Sequence, residues 1–349
     1  VSSKTYRAIA VTALFVLSLT GLAPDPVDAS YEAQRIVGIP EQSDWVDRGV
    51  VLSPGQQGSW DVRLGGMISP ATVVKKNGVY FLYYIGADGN RSSDGGPRHR
   101  ALGVATSKDG IRFEKYSGNP ILTFLPNKNE EEGIFSAGGT VDADGNVLLY
   151  YGGMNAGSRS STLVTSDVRL AISRNGLQFT DAGVALSRSD RSVWGYGDEL
   201  FPVGSFHAHG TWHVYYIAKS GRRLWSYLTG ARRVHWELGL AWGNSRQKLT
   251  NSRGVLASGS YVIGGGDAVE LDGDRIALFI IRDFAERNIE VRTVSTKQPD
   301  RISEPVKTYR FGDLGHATMF LDQDTNTWFM YFLDESAATI RVRTAPVQD

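Results

Sequence analysis

Carboxylates recur in this sequence at one place in a repeating pattern. Asp61, the run Glu130–Glu132, the pair Asp198 and Glu199, and Asp267 each stand shortly before an apolar stretch of strand character, and His316 stands at a fifth such place. Paired carboxyl groups are the equipment of glycosidic bond cleavage: one, protonated, delivers a proton to the leaving oxygen, and the other, ionised, serves as base or nucleophile. Crowding like charges raises one pKa and leaves its neighbour ionised, so a cluster of acids can assign these roles by itself. Trp60, Trp194 and Tyr196 flank the acids and offer flat faces to sugar rings. Acids before strands also cap turns or pair with neighbours such as Arg63, a second polar candidate for substrate contact. Recurrence at one level of the pattern is therefore what marks the set, more than any single acid.

Other residues with chemical potential are less organised. Arg98, His99 and Arg100 lie in the Gly-rich stretch SSDGGPRHR, a candidate anion-binding loop. His207, His209, His213 and His235 follow strand alternation and lack the helical histidine pair of zinc proteases, which makes them structural. The chain has no cysteine, which excludes disulfides, thiolate metal sites and a cysteine nucleophile. Lys plus Arg and Asp plus Glu number 37 each, so no global field draws the chain to nucleic acid or anionic membrane. Residues 1–29 read as a secretory signal, with Lys4 and Arg7 before an apolar run and Val27-Asp28-Ala29 as the cleavage site. The expectation is a secreted or periplasmic chain of one domain, residues 30–349, monomeric and free of the membrane once cleaved.

The elements that must hold the acids together are strands. Forty glycines, fifteen tyrosines, fourteen phenylalanines and eight tryptophans favour tight turns and half-buried sheet. An aromatic strand returns five times, as VYFLYYIG, VLLYYGG, WHVYYIA, IALFIIR and WFMYFLD, with Tyr84, Tyr151 and Tyr216 at intervals of 67 and 65 residues. That period is the scale of a propeller blade. A Ser-[Lys/Arg]-[Asp/Asn]-Gly-x-x-Phe turn follows twice, within residues 107–113 and 173–179. WVDRGVVLS at the N-terminal end matches the fourth-strand pattern FTDAGVALS, and the last aromatic strand is followed by only one more strand. The predicted fold is an all-β five-bladed propeller whose ring is closed by the N-terminal strand completing the last blade. In that fold the first strand of each blade lies nearest the axis, so the acids before the five aromatic hairpins meet at one mouth.

The segments GSWD with SPATVVKKNGVYFLYY, ATSKDGIRF, GDELFPVGSFHAHGTWHVYYIA and LGHATMFLDQDTNTWFMYF resemble the five-bladed β-propeller glycosidases, the superfamily of family 43 arabinanases and xylosidases and family 32 invertase-like enzymes, over essentially all of residues 30–349. The resemblance implies Glu199, with Pro202 after it, as general acid and Asp61 as base or nucleophile. Asp198, Glu132 or Asp267 would tune the acid. It implies inversion and a carbohydrate substrate, with arabinan-like or other furanosides favoured, and no required cofactor. His316 matches a Gly-His strand near which family members hold a calcium ion or water. Two departures stand out. Ser69 occupies the position before Pro70 where the family has Asp, and SAGGTVDADG in the second unit lacks an Asp-Pro. Asp267, after three glycines, is the substitute. Two alternatives remain open: a family 130-type phosphorylase using Arg98, His99 or Arg100 to hold phosphate, and a propeller that only binds carbohydrate.

Overall fold

The computed structural model describes residues 38–62, 68–88, 99–123, 133–153, 167–187, 200–220, 235–257, 261, 265–282 and 287–348. The expected signal segment lies outside them, as do Arg63, Arg98, Glu130–Glu132, Trp194, Tyr196, Asp198 and Glu199.

After a short 3-10 turn at Gln42–Asp44, strand β1 (Val46–Leu52) is followed by five sheets laid down in chain order. The first holds β2 (Ile68–Lys76), β3 (Val79–Gly86), β4 (Ala101–Ser107) and β5 (Glu114–Lys115), with β6 (Leu122–Thr123) also paired to β4. The second holds β7 (Ile134–Val141), β8 (Val147–Gly153), β9 (Val168–Ser173) and β10 (Thr180–Leu186). The third holds β11 (Leu200–Ala208), β12 (Thr211–Ser220), β13 (His235–Gly243) and β14 (Asn251–Ala257). In the fourth are β15 (Asp267–Asp272), β16 (Arg275–Arg282), β17 (Asn288–Ser295), β18 (Gln298–Ile302) and β19 (Lys307–Tyr309). The fifth contains β20 (Leu314–Asp322), β21 (Thr327–Asp334) and β22 (Thr339–Pro346), and its outer strand is β1, antiparallel to β22.

The first strands close a ring: β2 packs on β7, β7 on β11, β11 on β15, β15 on β20, and β20 on β2. This is a five-bladed β-propeller. Local chemistry explains the hairpins. Asn77 and Gly78, at φ of 51° and 71°, supply the two positive-φ positions that a tight β2–β3 turn needs. The repeated Ser-x-[Asp/Asn]-Gly motif is a side-chain-built turn: the Ser107 hydroxyl accepts the Gly110 N–H and the Asp109 carboxylate accepts those of Ile111 and Arg112. Ser173 and Asn175 repeat the arrangement.

Apolar faces of neighbouring sheets interdigitate, as Phe81, Tyr83, Leu149 and Tyr151 do between the first and second blades. A second device recurs at these junctions. Tyr83, Tyr150, Tyr215 and Tyr331, all in the second strand of a blade, donate their hydroxyls to the carbonyls of Gly176, Arg246, Pro299 and Gly110 in the adjoining blade. At the junction from the fourth blade to the fifth the same register holds Phe279, which packs edge-on against Trp328 at 5.4 Å.

Candidate active site on the propeller axis

The register of the inner hairpins builds one level of the axis. Thr72, Gly138, Gly204, Asp267 and Thr318 pair across their hairpins with Tyr83, Tyr150, Tyr215, Phe279 and Tyr331, so each blade contributes one residue to a common layer. The two glycines let the strands converge. A Cβ on Gly204 would lie 2.3 Å from the Ala268 nitrogen, and one on Gly138 would lie 3.0 Å from the Gly204 Cα. Beside that narrow side, the carboxyl of Asp267 reaches from the fourth blade towards the fifth and first. Its Oδ2 accepts the Thr318 hydroxyl at 2.8 Å and the Thr72 hydroxyl at 3.4 Å, and its Oδ1 accepts the Ala268 N–H at 2.8 Å. Thr72 Oγ1 in turn accepts the Gly139 N–H at 3.0 Å. Asp267 is 4% exposed. Burial dominates its proton affinity and pushes its pKa up to about 7 against the opposing effect of the hydrogen bonds.

Towards the starts of the first strands, Ser69 Oγ lies 3.0 Å from His316 Nδ1, joining the first blade to the fifth. Burial first, then the positive charge of Arg100, hold His316 down at about 4, so the imidazole is neutral at ordinary pH. The Ser69 hydroxyl, able to donate or accept, thus holds one nitrogen of the neutral ring and leaves Nε2 as its other polar atom. Arg100 is anchored nearby: its carbonyl accepts the Ile134 N–H at 3.1 Å and its guanidinium lies 3.6 Å over the Phe135 ring. His99 stands at φ 51° and pairs with Asp88 at 2.7 Å.

Asp61 and Trp60 are elsewhere. The reading that Asp61 sits on an axis-lining strand is corrected: Gly55 and Val62 form a parallel bridge that folds this segment back before β2 begins. The Asp61 carboxylate, 2% exposed, takes an ion pair from Lys115 of the outer strand β5 at 2.6 Å and a hydrogen bond from the Tyr84 hydroxyl at 3.2 Å. Trp60 lies against Tyr84 at 5.5 Å and covers Gly86 and Gly103, where an added Cβ would collide with its ring. Its face is engaged in packing within the first blade.

The structure thus brings together Asp267 and His316 near the axis and separates Asp61 and Trp60 from them. Arg63, Glu132, Trp194, Tyr196, Asp198 and Glu199 lie outside the described residues. Thr72 and Thr318 escaped sequence reasoning, although their shared place opposite the aromatic hairpin partners was a usable signal. Among the described residues no group of three or more His, Asp or Glu could hold a metal ion. His316 Nδ1 meets Ser69, and charges of both signs, Arg100, Glu335 and Arg287, bear on the ring.

No protein-family model matches the sequence, and no curated protein matches it. Solved structures do share the fold. A candidate glycosidase from Bacteroides thetaiotaomicron aligns with a TM-score of 0.60 at 12% identity, covering 88% of this chain and 99% of that one. A Bombyx mori GH32 beta-fructofuranosidase in complex with sucrose aligns with a TM-score of 0.52 at 13% identity, over 80% of this chain and 61% of that one. A beta-1,2-mannobiose phosphorylase from Listeria innocua aligns with a TM-score of 0.55 at 12% identity, over 85% and 94%.

Proposed function

We propose that the chain is an exported glycoside hydrolase whose reaction takes place at the end of the axis where the five first strands begin. The observation that carries this reading is the buried axial carboxyl of Asp267, whose pKa of about 7 lets it hold or release a proton at neutral pH, next to a layer with the neutral His316. Glycosidic cleavage needs two carboxyl groups with separated proton affinities. In this reading Glu199, which directly precedes β11 in the sequence, is the general acid, and Asp267 takes the second role in place of Asp61. His316, held at Nδ1 by Ser69, exchanges a hydrogen bond with a sugar oxygen through Nε2. Structural likeness to glycoside hydrolases supports the class, and the sequence features of residues 1–29 support export. Arg100 beside His316 favours one second reading, a phosphorylase that binds phosphate there.

The test is product release from soluble arabinan, inulin, xylan and their oligosaccharides, with and without inorganic phosphate. Hydrolysis without phosphate, reduced by about 10²- to 10⁴-fold in both Glu199→Gln and Asp267→Asn, is the expected result. Turnover that requires phosphate establishes the second reading. Binding without product from any substrate removes both. Full activity in Asp267→Asn would return the second carboxylate role to another acid.

A further inference from the structure

A cleft of about 450 Å³ opens between the third and fourth blades at the end of the propeller opposite the proposed site, where the turn from β11 to β12 meets the turn from β17 to β18. His213 and Trp242 line it, and strand register continues them into an aromatic row behind the cleft. Phe206, His213 and Trp242 are direct cross-strand partners on β11, β12 and β13, so all three side chains face the same way. Phe206 and His213 stack at 4.7 Å with an interplanar angle of 9°. Trp242 is only partly buried and lines the opening with Thr211, Thr296, Lys297 and Asp300. The walls are tied together before any ligand arrives: His209 Nε2 meets Thr296 Oγ1 at 3.2 Å across the two blades.

We infer that this cleft is a second carbohydrate-binding site, in which a neutral sugar ring lies on Trp242 and its hydroxyls reach the polar rim. The inference rests on the proposal above that the protein acts on a glycan. Three observations give the ligand class. A cleft of this volume suits one or two sugar rings. Its charges are already compensated, since Asp300 pairs with Arg253 and Lys297 pairs with Asp274 at 3.1 Å, so the groove offers hydrogen bonds without net charge and disfavours an ionic ligand. Third, the His213 ring beside Trp242 is 5% exposed and hydrogen-bonds to the Thr211 backbone, so it presents an uncharged flat surface that needs no ionic ligand. Burial keeps that imidazole neutral above about pH 4, so it brings no charge to the cleft. A site on the far face would hold a polymer while another part of it is cleaved, raising the local concentration of glycosidic bonds.

Affinity electrophoresis of the full chain through gels containing soluble arabinan, inulin or xylan tests this. The Glu199→Gln background keeps the polymer intact. The expected result is retardation by at least one polymer, weakened tenfold or more by Trp242→Ala. Thr211→Val and Asp300→Asn should weaken it severalfold, with melting temperatures that report folding separately. If Trp242→Ala lowers the melting temperature, Trp242→Phe, which keeps a flat ring, should restore both fold and retardation. Retardation by no polymer, or retardation indifferent to Trp242, Thr211 and Asp300, overturns the site. The two proposals fail separately. Trp242-dependent binding with no product from any glycan leaves the cleft standing and the hydrolase reading fallen, and cleavage with Trp242-independent binding does the reverse.

Discussion

At the scale of single residues, surroundings separate Asp61 from Asp267. Asp267 is buried with no cation bonded to it among the described residues, and burial raises its folded pKa from 3.8 to about 7. The folded state then holds a proton that the unfolded state releases across this interval. Stability from this group is therefore full below about pH 4 and lost as pH rises through 7, on the order of 4 kcal/mol in all. Denaturant titrations from pH 4 to 8 should show a decline in wild type that Asp267→Asn flattens; parallel profiles would refute this assignment. Asp61, by contrast, is ion-paired with Lys115. Asp61→Asn should cost about 2 kcal/mol, the scale of a hydrogen bond to a charged group, and leave kcat unchanged at temperatures where the variant is folded. Both aspartates precede apolar strands in the sequence, and only the three glycines before Asp267 tell them apart locally. What distinguishes them is tertiary: the backward fold between Gly55 and Val62, and a lysine 54 positions downstream.

At the scale of elements, the strands were legible because alternation, aromatic content and Gly turns agree within each hairpin. The aromatic residues of the second strands were legible as core, but their hydroxyls were not, since the acceptors lie in the next blade. Each tyrosine bond between blades leaves a buried carbonyl unpaired when removed. Tyr83→Phe, Tyr150→Phe, Tyr215→Phe and Tyr331→Phe should therefore each lower stability by about 1 kcal/mol, read as denaturation midpoints at constant slope. A larger loss at every site would mean that the rings, and not the hydroxyls, are being disturbed. Gly204 is a sharper case, because an added methyl meets the backbone of β15 and not a yielding side chain. Gly204→Ala should cost about 3 kcal/mol and reduce activity with it, since the strand it displaces carries Asp267.

At the scale of the whole molecule, the ring has the five-part repeat that the sequence displays, and β1 and β22 share one sheet. That shared sheet is reinforced from both sides. Trp328 Nε1 donates to the Gly38 carbonyl at 2.6 Å, and the Tyr309 hydroxyl donates to that of Pro40 at 2.7 Å. Removing residues 38–53 would bare the edge of β22 along its length. Such a variant should aggregate or elute as higher oligomers in size-exclusion chromatography and lose its cooperative thermal transition; a monomer that melts normally would show that closure is dispensable. The same pairing has a consequence for biosynthesis. The Gly38 N–H bonds to the Gln348 carbonyl at 3.0 Å, so the two ends of the described chain touch although nearly the whole domain is synthesised between them. During translation β1 emerges first and must wait for β22, which emerges last, so no nascent chain can complete the ring early. A circular permutant that joins 348 to 38 by a short linker and opens the chain between β10 and β11 would make that sheet contiguous in sequence, and the last step of folding would become one of the first.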